Sequence, residues 1–395
     1  MLTEHAYTVL NDEEKRRRLK EIAAVFLRLG ALAFGGPAAH IAMMDEEVVQ
    51  KKKWLGREHF IDLIGATNLI PGPNSTELAI HIGFIRGGTA GLFIAGAAFI
   101  IPAMLIVLTF AVLYTRFDGI PEVSGVLYGI KPVIIAIVLH AIYRLAKAII
   151  RGWLPATLTV SVIALAFLGA ENILLLAVAG LVSMVAKNYG KTKNALFAAA
   201  ALPIALGEAD ELANAAKPAG IALHSVFLAF MKIGSVLYGS GYFLLAFLET
   251  EFVKGFAVIS NQQLLDAVAI GQFTPGPVFT TATFIGYLIS GFPGALAATA
   301  GIFLPSFLLV LLLNPLIPKL RKSTWVAGAL DGINAASLGL MSVVTVKLGI
   351  DSLRDPLAAG LFTVAFVLMS KFKFNSAWAI LAGGVVGFVY HYVMM

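Results

Sequence analysis

Two otherwise apolar stretches of this chain carry Pro-Gly-Pro at their centre. Pro71-Gly72-Pro73 lies within the segment Phe60–Phe84, and Pro275-Gly276-Pro277 lies within its counterpart further on. A proline donates no amide and pushes the residue before it out of the helical region, so neither stretch folds as one continuous helix. The chain around them is 59% hydrophobic and only 13% charged, with mean hydropathy +0.87, more apolar than a soluble core can hide. Apolar runs such as Gly91–Tyr114, Val123–Leu139, Ala295–Leu313 and Ala358–Met369 recur along it and approach the roughly 20 residues that span a bilayer. The expected fold class is all-α: a polytopic membrane protein.

The punctuation repeats at a shift of 203–204 residues. Phe34-Gly35-Gly36-Pro37 falls on Tyr238-Gly239-Ser240-Gly241, Glu47 on Glu251, Asp62 on Asp266 and Pro71-Gly72-Pro73 on Pro275-Gly276-Pro277. After a one-residue deletion, Gly83 meets Gly286, Gly91 meets Gly294, Pro102 meets Pro305, Gly129 meets Gly332 and Gly180 meets Gly383. The chain thus divides into a polar, cytoplasmic lead-in (1–21), a first repeat (22–187), a linker (188–225) and a second repeat (226–395).

Loop charges alternate between the repeats. Lys51, Lys52, Lys53 and Arg57 correspond to a stretch holding Glu249, Glu251 and Lys254, while acidic Arg116–Glu122 corresponds to Lys319-Leu320-Arg321-Lys322. Under the positive-inside rule the two repeats have inverted topology, which requires an odd number of crossings between them. Asn194–Leu206 is the candidate crossing in the linker. Roughly six segments per repeat plus this one give about 13, with the N-terminus cytoplasmic and the C-terminus outside, in a cell inner membrane. Crossing by Leu27–Met44 would place the cations of 51–57 outside, so the first two segments are alternatively re-entrant hairpins, broken at Gly36-Pro37 and at Pro71-Gly72-Pro73.

A broken helix is tolerated at membrane depth only where protein or a wet cavity satisfies its backbone, so each break marks a buried polar site. Each is followed by a new helix N-terminus, Asn74-Ser75-Thr76-Glu77 and Val278-Phe279-Thr280-Thr281, where unbonded amides and the helix dipole favour an anion. Inverted repeats would aim both at one midplane site, flanked by the hydroxyls of Ser75, Thr76, Thr280 and Thr281 and the amides of Asn68, Asn74 and Gln272. Gly72 and Gly276 within the breaks, and Gly35, Gly36, Gly239 and Ser240 at the second pair of breaks, would add backbone amides. Such a site suits a small tetrahedral dianion. Close packing of small residues is the competing reading for the glycines.

Ionisable residues in apolar segments point to function. Glu77 lies four residues before His81 on one helix face, where the two would pair or exchange a proton, against a plain capping role for Glu77. His40 reads as a packing or a gating histidine. Arg28, Arg86, Lys131 and Lys232 are basic residues that could meet an anion; Lys131 lies in an apolar run beside Pro132, Arg28 and Arg86 lie near the expected edges, and Glu47 and Glu251 are placed in loops. The absence of cysteine and the scattered histidines argue against thiol chemistry and a metal site, and no cofactor is expected. Gly190-Lys191-Thr192 lacks the upstream glycine of a phosphate-binding loop, Val185 standing there, so gradients would supply the energy. The net charge of +6 sits in short clusters between apolar runs, which fits membrane topology and not nucleic acid.

The runs Phe34-Gly35-Gly36-Pro37-Ala38-Ala39-His40, Leu69 through Glu77, and Gly271-Gln272-Phe273-Thr274-Pro275-Gly276-Pro277 resemble the chromate transporter (CHR) family in its long, two-domain form. The resemblance covers nearly the whole chain. It implies efflux of chromate across the inner membrane, conferring resistance, with sulfate as the related oxyanion. The expected partners are a chromate or sulfate anion and the lipid bilayer, with a homodimer left open. The alternatives are a carrier of another small oxyanion, or an integral-membrane enzyme, for which no carboxylate pair or Ser-His-Asp set is found.

Overall fold

The computed structural model describes residues 7, 10–34, 36–117, 121–188, 221–238, 241, 243–313, 317, 320, 323–372 and 374–394. Among them are fourteen helices and no strand. In the first repeat these are α1 (Asp12–Leu32), α2 (Gly36–Met44, continuing as a π-helical turn Asp45–Lys51), α3 (Arg57–Thr67), α4 (Asn74–Arg116), α5 (Pro121–Ile149), α6 (Trp153–Phe167) and α7 (Asn172–Asn188). The second has α8 (Leu223–Val236), α9 (Leu244–Leu248, with a π-helical turn Glu249–Gly255), α10 (Asn261–Phe273), α11 (Thr281–Leu313, after a short 3-10 turn Val278–Thr280), α12 (Thr324–Ser352), α13 (Pro356–Phe372) and α14 (Ser376–Met394). The repeats match element for element, down to the π-helical turns and the positive φ of Lys53 (52°) and Ala257 (53°). Large apolar side chains such as Trp153, Val160, Ile350, Trp378 and Val385 are exposed on the outside, as a lipid-facing surface requires.

At 43 residues α4 would be about 64 Å long if straight, twice the hydrocarbon thickness. It is not straight. Gly87 (φ −136°, ψ 18°) and Gly88 (φ 60°, ψ −154°) leave the helix, and residues 89–116 fold back along 74–86. Gly83 and Gly91 then abut so closely that a Cβ on Gly83 would lie 2.5 Å from the Cβ of Ala95 and collide with the Gly91 carbonyl. Ser290 and Gly291 make the same turn in α11, with nearly the same dihedrals. Each of these long apolar runs is therefore a short arm, 74–86 or 281–289, and a crossing arm, 89–116 or 292–313.

The contacts fix how the segments of the first repeat lie against one another. Gly87 lies against Leu19 and Ile22 of α1, Arg86 bonds Glu21 at 3.0 Å, and its guanidinium covers the Trp54 ring at 5.2 Å. The start of α1, the loop before α3 and the end of the short arm thus share one face, here the first face. Consequently α1–α2 and α3–short arm are both hairpins that return to this face, and only the arm 89–116 goes on to the opposite one. The second repeat enters from the other face. Tyr114, near the far end of the crossing arm, donates to Asp266 of α10 (3.0 Å) and packs on Phe284 of the short arm (5.2 Å), while the tip between them, Gly276, rests on Ala103 halfway along. In mirror fashion Gly72 rests on Ser306, midway along the crossing arm of α11.

The outer helices interleave: α5 packs antiparallel to α14 through Gly129 and Gly383, and α12 packs on α7 through Gly332 and Ala179. Following the chain through these helices puts Asn188 at the first face, bonded to Thr324 (2.8 Å), and Leu223 at the second. The expected crossing Asn194–Leu206 lies outside the described residues.

Candidate functional site

Four backbone breaks converge at mid-depth: one at Ala33 and Phe34 and one at 68–73 from one side, one at Leu237 and Tyr238 and one at 274–277 from the other. Gly72 (φ 139°) and Gly276 (φ 82°) adopt conformations that only glycine takes easily, each closed in by the prolines on either side. Their amides are already engaged. Gly72 donates to the carbonyl of Leu237 at 2.7 Å, and Gly276 donates to the carbonyl of Ala33 at 2.9 Å. Contacts reciprocated in this way define a two-fold relation between the repeats. Pro71 through Pro73 and Thr274 through Pro277 are all buried, so the tips are sealed from both faces.

Beyond the backbone the symmetry ends. On the first repeat's side, His40 holds Ala33 O through Nε2 (3.0 Å) and Ser75 Oγ through Nδ1 (3.2 Å), which fits a neutral ring donating from Nε2 and accepting from the Ser75 hydroxyl. Thr76 and Glu77 are fully buried, and His81 is 1% exposed. Thr76 Oγ1, Glu77 Oε2, both ring nitrogens of His81 and Asn74 Oδ1 are buried with no hydrogen-bond partner among the described residues. Glu77 Oε1 is met by the Ser306 hydroxyl from the second repeat at 3.5 Å. Unpartnered polar atoms are costly at this depth, so their clustering marks the place where a polar guest or a moving proton would be received.

Most of the other sequence candidates have partners within the protein. The amides of Gly72 and Gly276 are bonded to carbonyls of the other repeat. Thr280 and Thr281 donate their hydroxyls to Pro277 O (2.7 Å) and Val278 O (2.8 Å), because a hydroxyl beside a helix start caps the nearest carbonyl. Asn74 donates to Asn68 at 2.7 Å, and Asn68 is exposed. Gln272 is buried on the last turn of α10 beside a cavity of about 10 Å³, room for one water. Glu77 and His81 share a face without bonding each other. Gly36 opens α2 with φ 76° at the tip, while Gly35, Gly239 and Ser240 lie outside the described residues.

The basic candidates prove to be paired. Lys131 sits 3.7 Å from Asp266 and away from the tips. Arg28 pairs with Glu47, and its counterpart Lys232 pairs with Glu251 at 3.2 Å. Glu47 and Glu251 therefore lie on π-helical turns and not in loops. Sequence reading missed Asp266, Ser306 and the carbonyls of Ala33 and Leu237. A lysine within an apolar run was the one available signal, since it demanded a carboxylate mate.

The sequence profile described as Chromate transporter matches residues 20–184 and matches again over 224–388. The chain belongs to the chromate transporter family. This membership makes it a multi-pass transport protein rather than an enzyme. A chromate transport protein of Cupriavidus metallidurans is 32% identical over 93% of this chain and 92% of its own length. One from Pseudomonas aeruginosa is 29% identical over 93% and 92%, and an uncharacterized transporter of Methanocaldococcus jannaschii is 26% identical over 98% and 99%. No solved structure matches the chain.

Proposed function

We propose that this family member is a secondary transporter that exports chromate, with sulfate as a related cargo, across the cytoplasmic membrane. The single observation that carries the site is the meeting at mid-depth of oppositely inserted hairpin tips, one of them lined with unpartnered polar atoms. The relatives named for chromate transport support the cargo. The anion is received on the first repeat's side, by the N-terminal turn of the short arm, the Thr76 hydroxyl and the Asn74 amide N–H that Asn68 does not take, with the helix dipole directed at it. Sealed on both sides, the tips represent an occluded state, and rocking of one repeat against the other would open each face in turn.

Orientation follows from charge. Lys51, Lys52, Lys53, Arg57 and Arg86 lie at the first face, with Arg151, Lys187 and Lys371 at helix ends there, whereas on the second face the cations Arg116, Lys254, Lys347 and Arg354 are balanced by Glu171, Glu249, Asp351 and Asp355. The first face is then cytoplasmic, with the N-terminus inside and the C-terminus outside. A dianion leaving an inside-negative cell gains about 4.6 kcal/mol per 100 mV, so no nucleotide is needed.

The test is chromate uptake into everted membrane vesicles, with sulfate as competitor. Saturable uptake, inhibited by sulfate and strongly reduced in Thr76→Ala and Asn74→Ala, is the expected result. Uptake no greater than in vesicles lacking the protein would end the chromate reading.

A further inference from the structure

Four carboxylates are buried among the described residues, and three of them face a cation: Glu47 faces Arg28, Glu249 faces Lys254 and Asp266 faces Lys131. Glu77, fully buried beside the tip, faces none. Around it stand His81 on its own arm, Tyr238 from the end of α8 and the Ser306 hydroxyl from α11, with His40 of α2 one step away through Ser75. The charged groups on the remaining neighbours are directed elsewhere. Glu21 and Arg28 of α1 are held by Arg86 and Glu47, Asp266 of α10 by Lys131, and Asp62 of α3 is exposed.

We infer that Glu77 carries a proton that travels with the oxyanion, making this carrier a proton–oxyanion symporter; the inference rests on the reading above that the anion sits at the tip. The reason is linkage. A carboxylate and an oxyanion sharing one low-dielectric site repel each other, whereas a protonated carboxyl is neutral and donates a hydrogen bond to the anion. Proton binding therefore raises anion affinity, and by reciprocity the anion raises proton affinity, so the occluded state is reached with both or with neither. His81 lies one turn further along the arm that ends at the first face, with both ring nitrogens unpartnered, and is placed to relay the proton to that side. A chromate dianion moving with one proton carries one net negative charge out, which halves the drive from the membrane potential.

The experiment uses the purified full chain in liposomes, with potential clamped and a pH dye trapped inside, at about pH 8, where chromate remains a dianion and cannot itself carry the proton. An imposed inward chromate gradient is expected to acidify the lumen in step with chromate entry. Glu77→Gln is expected to abolish that acidification and to flatten the pH dependence of chromate affinity, which in wild type weakens as pH rises. His81→Gln is expected to slow acidification without changing the number of protons per anion. Chromate entry without lumen acidification, lumen alkalinisation, or unaltered acidification in Glu77→Gln would each overturn the symport. Absence of chromate entry in wild type would instead overturn the proposed cargo and this inference with it.

Discussion

Gly72 hands its amide proton to the carbonyl of Leu237 across 2.7 Å, tying the break of one repeat to the end of the first helix of the other. Gly276 and Ala33 repeat the bond in the opposite sense. Each break thus satisfies itself on the partner repeat, and neither tip moves without altering a hydrogen bond that the other repeat needs. Under the proposed alternating access, the hinge would lie at the tips.

Substitution at these glycines separates backbone strain from collision. Gly36→Ala strains a positive φ (76°) in open space, whereas in Gly276→Ala the new Cβ also lies 2.5 Å from the Cβ of Ala103, and in Gly72→Ala it collides with the carboxyl of Glu77 and the Ser306 hydroxyl. Strain alone costs about 1–3 kcal/mol, and overpacking adds a similar amount. Melting in detergent should therefore fall least for Gly36→Ala and most for Gly72→Ala and Gly276→Ala, with chromate transport lost in the latter two. Equal losses at all three positions would remove the collision argument.

The Lys131–Asp266 pair crosses between repeats within the hydrocarbon, with Tyr114 donating to the same carboxylate. Removing one charge of a buried pair costs about 3–5 kcal/mol, because the other is left uncompensated. Lys131→Met and Asp266→Asn should each lower melting sharply, and the double variant should recover much of the loss. Strict additivity of the two effects would mean that the pair is not coupled.

The division between what the sequence made legible and what it did not has a physical basis. The breaks at 71–73 and 275–277, and the ends of the crossing arms, are set by Pro, Gly and apolar run length, which act locally and can be read in order. The inversion was legible because basic residues collect in particular loops. Partners such as Glu47 for Arg28 or Asp266 for Lys131 are chosen only when distant segments meet, so spacing does not reveal them. The carbonyl partners of the Thr280 and Thr281 hydroxyls were hidden for a related reason. Composition shows a donor, but the helix start decides which acceptor it takes.

His40 is placed to hold the tip, not to move protons. Its two ring nitrogens are engaged by Ser75 and Ala33, its ring stands edge-on to Phe99 at 5.5 Å, and the second repeat has Leu244 at the same position. His40→Leu leaves Ala33 O with the Gly276 amide but strips Ser75 of its acceptor, a cost of about 1–3 kcal/mol. Melting should drop while the pH dependence of chromate affinity stays that of wild type. A flattened profile like that expected for Glu77→Gln would reassign His40 to the proton path.

The absence of cysteine makes the hairpin topology directly testable, since each introduced thiol is the sole label site. If α1–α2 and α3–short arm are re-entrant, positions 53, 87 and 151 face one compartment, and positions 116, 254 and 354 face the other. If the first two segments crossed instead, position 53 would lie on the side opposite the start of α1. Lys53→Cys, Arg151→Cys, Arg116→Cys and Lys254→Cys sit at exposed loop or helix-end sites where the label has access. In intact cells a membrane-impermeant maleimide should modify the variants at 116 and 254 and spare those at 53 and 151, with the pattern reversed in everted vesicles. Labelling of Lys53→Cys in intact cells would replace the hairpins with full crossings and take the two tips out of a common plane.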